Sequence, residues 1–136
     1  MREYKSIFTG SSEQSLVTSD VLNQCRVLKK PVYRATKADK ENPNIMYVLS
    51  YDVASSEGKS NAQSALIVLR CENRGDGTFS KQVVNIESFE GTHFKKQARY
   101  LKEKVNQYGA RVLIVDHNGL GKGLTDELVQ EIDENP

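Results

Sequence analysis

The sequence predicts an α/β domain in which four strands form one mixed sheet, with the element order β-β-β-α-β-α. Three apolar, β-rich segments follow one another between residues 45 and 89, and an Asp-Gly turn joins the second to the third. Apolar residues then recur at helical spacing between residues 93 and 108. A fourth apolar segment, residues 111–115, follows that helix and precedes a second one.

Length and composition are typical of one soluble domain with a hydrophobic core. The chain has 136 residues, of which 38% are hydrophobic and 27% charged, and its formal net charge is +1. Because this charge is small, any contact with nucleic acid must come from a local basic patch. No apolar run approaches the ~20 residues of a membrane span, so no membrane contact is expected, and the N-terminus is too polar for a signal peptide. Two widely spaced cysteines, Cys25 and Cys71, indicate reduced thiols in the cytoplasm.

Residues 1–40 are predicted to be a connecting segment that precedes the domain proper, residues 41–136. A short helix is expected over Asp20–Lys30, capped by Thr18 or Ser19 and ended by the proline that follows it. The stretch before the first strand is polar and contains a proline, which predicts a loop over residues 34–44.

The strands are expected over Ile45–Val53, Ala62–Arg70, Phe79–Phe89 and Arg111–Val115. The fourth is nearly all apolar, which predicts burial on both of its faces. A flexible turn over residues 117–123 and a helix over Leu124–Ile132 are expected to follow it.

The helix predicted over His93–Tyr108 has one apolar stripe, and Gly109 suits its C-terminal cap. Five basic residues surround the stripe: Lys95, Lys96, Arg99, Lys102 and Lys104. A charged helix face is most often simply solvated, and the alternative for this one is a contact surface for DNA.

This order of elements is that of the ribonuclease H-like fold. In that topology the helix returns the fourth strand beside the first, in parallel. Asp52 ends the first strand and Asp116 follows the fourth, so the two carboxylates are expected at the same carboxyl edge of the sheet. Taken singly, each aspartate would be an ordinary turn former or helix cap.

Two neighbouring carboxylates repel each other unless a cation lies between them. Mg²⁺ and Mn²⁺ prefer oxygen ligands, and two such ions about 3.5–4 Å apart can promote hydrolysis of a phosphodiester. Asp52 would bridge the ions and Asp116 would hold one of them. The glycine-rich segment 118–123 would let the backbone approach a phosphate, and Lys122 could neutralise it. A cofactor-binding role for these glycines and a ligand role for His117 are weaker alternatives.

Several segments resemble one known family. They are Tyr47–Ala54, Ser64–Val68, and Val112–Gly121 together with the Leu-x-Asp-x-Leu pattern that begins at Leu124. They are similar to the nuclease domain of the large terminase subunit of tailed bacteriophages and prophages. The most specific part is Asp-His-Asn-Gly-Leu-Gly, which begins at Asp116. The segment from Arg2 to Cys25 is similar to the connection between that family's motor domain and its nuclease.

The resemblance implies a ribonuclease H-like endonuclease that cuts concatemeric double-stranded DNA during genome packaging in the host cytoplasm. It implies that Asp52 and Asp116 are catalytic residues that bind Mg²⁺ or Mn²⁺. The partners it implies are DNA, the terminase small subunit and the portal. Contacts with DNA are expected from Lys122 and from Lys95, Lys96 and Arg99.

Two departures from the family pattern stand out. The family often has an acidic residue early in the second strand, where this chain has Asn61-Ala-Gln63. Its third catalytic acid lies beyond the point where this chain stops, and the available acids are Asp126, Glu131 and Asp133. The chain is therefore expected to be a C-terminally truncated fragment that self-associates through an exposed apolar edge. The alternatives are an inactive remnant or interaction module, and another ribonuclease H-like nuclease or resolvase.

Overall fold

The computed structural model describes residues 16–53, 63–90, 93–116 and 121–133. The side chains of residues 121, 122 and 130–133 lie outside this description. The chain divides into two compact units, residues 1–30 and 31–136.

The first unit contains helix α1, Ser19–Cys25. The Thr18 hydroxyl caps it by accepting a hydrogen bond from the Val21 amide at 3.3 Å, as predicted. The helix ends five residues before the predicted limit at Lys30. None of its residues is buried, and an isolated helix of this length gains too little from its own hydrogen bonds to extend further.

The second unit opens with helix α2, Lys37–Glu41, inside the stretch predicted to be a loop. The Thr36 hydroxyl caps it by accepting a hydrogen bond from the Asp39 amide at 3.1 Å. The prediction of an uninterrupted loop over residues 34–44 is wrong, because five residues are too few to display a helical period. Just before α2, the Ala35 amide donates a hydrogen bond to the Gln107 carbonyl at 3.1 Å.

Four strands form the sheet: β1 (Ile45–Asp52), β2 (Gln63–Asn73), β3 (Phe79–Glu90) and β4 (Val112–Val115). Their order is β3-β2-β1-β4. The pairs β1–β2 and β2–β3 are antiparallel, whereas β1 and β4 are parallel. The predicted mixed α/β sheet is confirmed.

Two longer helices complete this unit: α3 (Phe94–Tyr108) and α4 (Gly121–Asp133). His93 lies at the N-cap of α3, and Gly109 ends that helix in the left-handed conformation, with φ 58°. Among the described residues, no helix is both long and apolar enough to cross a membrane.

The core lies on one face of the sheet. Along β1 the side chains of Ile45, Tyr47, Leu49 and Tyr51 are buried, and the alternate positions are more exposed. The buried set packs with apolar side chains of α3 and α4, including Leu101 and Leu124. We call this the helix-covered face, and the other the open face.

The prediction that the fourth strand is buried on both faces is wrong. Val112 and Ile114 of β4 are 40% and 53% exposed, whereas Leu113 and Val115 pack against the core. An all-apolar strand suits burial on both sides. Here the described helices of residues 31–136 pack on one side alone.

A polar cluster fastens α2 to the helix-covered face. The Arg70 guanidinium donates to both carboxylate oxygens of Asp39, at 2.9 and 3.2 Å, and the Tyr47 hydroxyl donates to the same carboxylate at 2.6 Å. The hydrogen bond from Arg70 lowers the pKa of Asp39. Burial, together with the Asp39 carboxylate, raises the pKa of Tyr47 to about 12. Asp39 and Arg70 are thus both charged at neutral pH.

The depressed pKa of Asp39 predicts a loss of stability in acid. The Asp39 carboxylate contributes to the free energy of unfolding. This contribution is fully present above the unfolded-state pKa of 3.8 and disappears as the pH falls through the lower folded-state pKa. We expect urea unfolding between pH 6 and pH 2 to show this fall. Asp39→Asn should be less stable than wild type at pH 6 and should show a shallower acid dependence. Parallel curves for the two proteins would contradict the assignment.

Candidate functional site

Asp52 and Asp116 lie at the same edge of the sheet, at the carboxyl ends of neighbouring parallel strands. Tyr51 pairs with Val115 in the register of β1 and β4. The Asp116 amide continues this ladder by donating to the Tyr51 carbonyl at 3.4 Å. Because parallel neighbours are about 4.8 Å apart, the backbones of the two aspartates are adjacent.

Both aspartates also belong to the open face. Successive side chains of a strand alternate between faces, and Tyr51 and Val115 belong to the helix-covered side. The next residue of each strand therefore lies on the other side, and both Asp52 and Asp116 are exposed. Two adjacent, accessible carboxylates are a suitable pair of oxygen ligands for a divalent cation.

A buried polar cluster supports this edge from the helix-covered side. The Tyr51 hydroxyl donates to the side-chain oxygen of Gln97 at 2.7 Å, and the Ser64 hydroxyl donates to the same oxygen at 3.3 Å. Gln97 belongs to the first turn of α3 and is 1% exposed. Burial is the main cause of the raised pKa of Tyr51. The cluster joins α3, β1 and β2 directly beneath the position of Asp52.

Gln97 is a residue of this edge that is not among the predicted site residues. It lies between the apolar residues Phe94 and Ala98, on the side of α3 that faces the sheet. A polar side chain inside an apolar helical stripe was the available signal, because a buried amide requires hydrogen-bonding partners.

A third acidic ligand is not found beside the pair in the part of the chain that the structure describes. No group of three His, Cys, Asp or Glu side chains comes together there. Asp126 lies on α4 and is exposed, whereas the side chains of Glu131 and Asp133 fall outside the described residues. His117 falls outside them as well.

The predicted DNA-contacting residues of α3 are not on the same face as the aspartates. Lys95, Lys96 and Arg99 are exposed on a helix that packs against the helix-covered face. Its first turn lies at the sheet end that carries the aspartates, because Gln97 contacts Tyr51. The Lys122 side chain lies outside the described residues.

Two other basic residues of the predicted DNA-contacting face interact with other groups of the protein. The Lys104 ammonium forms an ion pair with Glu87 at 2.8 Å, and the Lys104 side chain is 13% exposed. Lys102 is half-buried, and it also interacts with another group of the protein. The fully exposed basic surface of α3 is therefore confined to its first two turns.

The glycine segment after β4 is in part helical. Gly121 and Gly123 belong to α4, although a flexible turn was expected up to residue 123. A Cβ atom at Gly123 would come within 2.7 Å of the Phe94 ring. This glycine lets α4 pack closely on the start of α3, a structural role that the sequence analysis had not considered. The rest of the segment, residues 117–120, lies outside the described residues.

A scan against protein-family models, a search of curated proteins and a search of solved structures each found no match to this chain.

Gly123→Ala tests the packing role of this glycine. In an exposed helix this change stabilises by about 1 kcal/mol. We expect it instead to destabilise by about 1–3 kcal/mol, because the added methyl group displaces the Phe94 ring. Urea unfolding measures the difference, with Val129→Ala at an exposed position of α4 as the control. A stabilised Gly123→Ala protein would contradict this.

Gln97→Met tests the buried polar cluster. The change keeps the volume but removes the oxygen that accepts hydrogen bonds from the Tyr51 and Ser64 hydroxyls, so we expect the free energy of unfolding to fall by about 1–3 kcal/mol. Tyr51→Phe in the same protein removes one of those hydroxyls and should recover part of the loss. A double-mutant cycle from chemical unfolding measures the coupling. Strictly additive effects would show that the two side chains act independently.

Proposed function

We propose that this chain is a metal-dependent nuclease domain in which Asp52 and Asp116 hold the metal. The single observation that supports the proposal best is the placement of two exposed carboxylates at adjacent ends of parallel strands β1 and β4. Carboxyl ends of strands in open α/β sheets are common ligand sites. Two neighbouring carboxylates repel each other, and a divalent cation between them would remove the repulsion.

The residues fit Mg²⁺ or Mn²⁺ in the chemistry of their donors. Both ions prefer carboxylate oxygens and keep several bound waters, so a site with two protein ligands is compatible with them. When bound, such ions supply Lewis-acid activation of a phosphodiester. The protein's own contribution is to hold the two carboxylates side by side on a rigid sheet, because β1 is fixed from below by the Tyr51–Gln97 hydrogen bond.

The specific form of the proposal is a ribonuclease H-like nuclease of the large terminase subunit type, acting on double-stranded DNA. Its support is the segment resemblance together with the strand order, in which β4 lies beside β1. If the proposal holds, the protein would act in the host cytoplasm, with the terminase small subunit and the portal as its partners. The basic start of α3, with Lys95, Lys96 and Arg99, would contact DNA on the helix side of that sheet end.

A second candidate is a folded but inactive interaction module. The observation that favours it is the lack of a third acid beside Asp52 and Asp116 among the described residues. Such a protein would keep a weak cation site and lose cleavage. Metal binding and cleavage are therefore measured separately.

Asp52→Asn and Asp116→Asn test the metal site. We expect each to weaken Mn²⁺ binding at least tenfold, because each removes one negative charge and one oxygen ligand. Electron paramagnetic resonance measures free Mn²⁺ during a titration. Glu90→Gln is the matched control: it also removes an acid from a strand end, and β3 is two strands from β1. Equal Mn²⁺ affinity in wild type and both aspartate variants would remove the proposed site.

Nicking of supercoiled plasmid in Mn²⁺ tests the activity with the same set of proteins. We expect wild type and Glu90→Gln to cut, and both aspartate variants to lose at least 100-fold in rate. Cleavage that survives both substitutions would refute the catalytic assignment. Mn²⁺ binding without cleavage in wild type would favour the interaction module.

A further inference from the structure

The open face of the sheet carries a continuous apolar surface. Exposed side chains come from three strands: Val83 and Ile86 of β3, Ile67 of β2, and Val112 and Ile114 of β4. They are not scattered, because the strand register makes Ile67 the direct neighbour of Ile86. Val48 and Ser50 of β1 lie between Ile67 and β4 and continue the surface. Single exposed apolar residues are ordinary, whereas a contiguous group of this kind marks an interaction surface.

We propose that the open face is a homodimer interface, in which two copies pack sheet against sheet with their strands antiparallel. Such a dimer would cover the end of the open face that carries Asp52 and Asp116, so it would compete with the metal site proposed above. Its formation does not require nuclease activity. Two observations identify a second copy as the occupant, namely the distribution of charge on the face and its size.

Among the described residues, the charged side chains of this face lie at its two ends, and the two ends have opposite signs. Asp52 and Asp116 lie at one end. Lys81, which is exposed, lies at the level of Cys71 and Met46 near the start of β1. Met46 and Asp52 are six positions apart along β1, so the two levels are separated by roughly 20 Å. An antiparallel two-fold arrangement places the acidic end of each copy over the basic end of the other, whereas a parallel one would bring four carboxylates together.

The centre of the face suits its own copy as well. It is formed by aliphatic side chains with one serine, so that no charge has to be buried when two such surfaces meet. Aligned sheets pack about 10 Å apart with side chains interleaved, and this is the geometry we expect.

The small size of the surface limits the affinity that is expected. β4 has four residues and β1 has eight, so the four strands overlap over a limited length. With strands about 4.8 Å apart and a length of roughly 25 Å, the face has a flat outline of at most about 500 Å². This is near the lower limit of specific interfaces, about 600 Å² on each partner. A dimer with a dissociation constant on the order of micromolar is therefore expected.

Sedimentation equilibrium of the full chain between about 1 and 200 µM tests the proposal. We expect a reversible monomer–dimer equilibrium in wild type. Ile86→Lys should raise the dissociation constant at least 100-fold, because the two-fold axis buries the new charge twice. Val129→Lys is the matched control: it places the same charge at a 54% exposed position on α4, away from the sheet, and should leave the equilibrium unchanged.

One further variant keeps the test decisive if the lysine variant does not fold. Ile86→Thr retains β-propensity and should weaken the dimer at least tenfold while keeping wild-type circular dichroism.

A wild-type chain that stays monomeric and folded up to 200 µM would overturn the proposal and assign the open face to a different partner. A dimer that survives Ile86→Lys, or that is lost in Val129→Lys, would also overturn it.

Discussion

The parallel pairing of β1 with β4 is the constraint on which the arrangement of the sheet depends. A parallel neighbour cannot be reached by a tight turn, and α3 provides the required return along the helix-covered face. The pairing places the ends of the two strands side by side and brings Asp52 next to Asp116. Without it, these carboxylates would be two unrelated surface residues.

Helix α3, which connects β3 to β4, is held in place at both of its ends. Its first turn contributes Gln97, which accepts hydrogen bonds from Tyr51 and Ser64 beneath the aspartates. Its last turn contributes Tyr108, which is fully buried and accepts a hydrogen bond from the Asn85 amide at 3.0 Å. Polar contacts inside an apolar core fix position more strictly than apolar packing, because a misplaced buried polar group loses its partner. The sheet edge is thereby held to one geometry.

Much of this fold could be predicted from the sequence. The β-rich segments, the Asp-Gly hairpin and the stripe of α3 located the strands and one long helix to within a few residues. The predictions that were wrong have one cause in common. Local sequence patterns carry no information about residues that are distant in the chain and close in the fold. Helix α2 depends on Asp39 meeting Arg70 of β2. The close approach at Gly123 depends on Phe94 of another helix. The early end of α1 reflects the absence of any buried residue in it.

By itself, the sequence determined that two strands end in aspartates and that a helix lies between the third and fourth strands. Because successive side chains of a strand alternate between the two faces of a sheet, Asp52 must also lie on the face opposite to Tyr51. Only the tertiary structure decided which of those two faces is covered. β4 reads Val-Leu-Ile-Val, so its sequence does not distinguish its two sides. The helices settle the matter by packing against Leu113 and Val115, which leaves Ile114 and both aspartates on the open face.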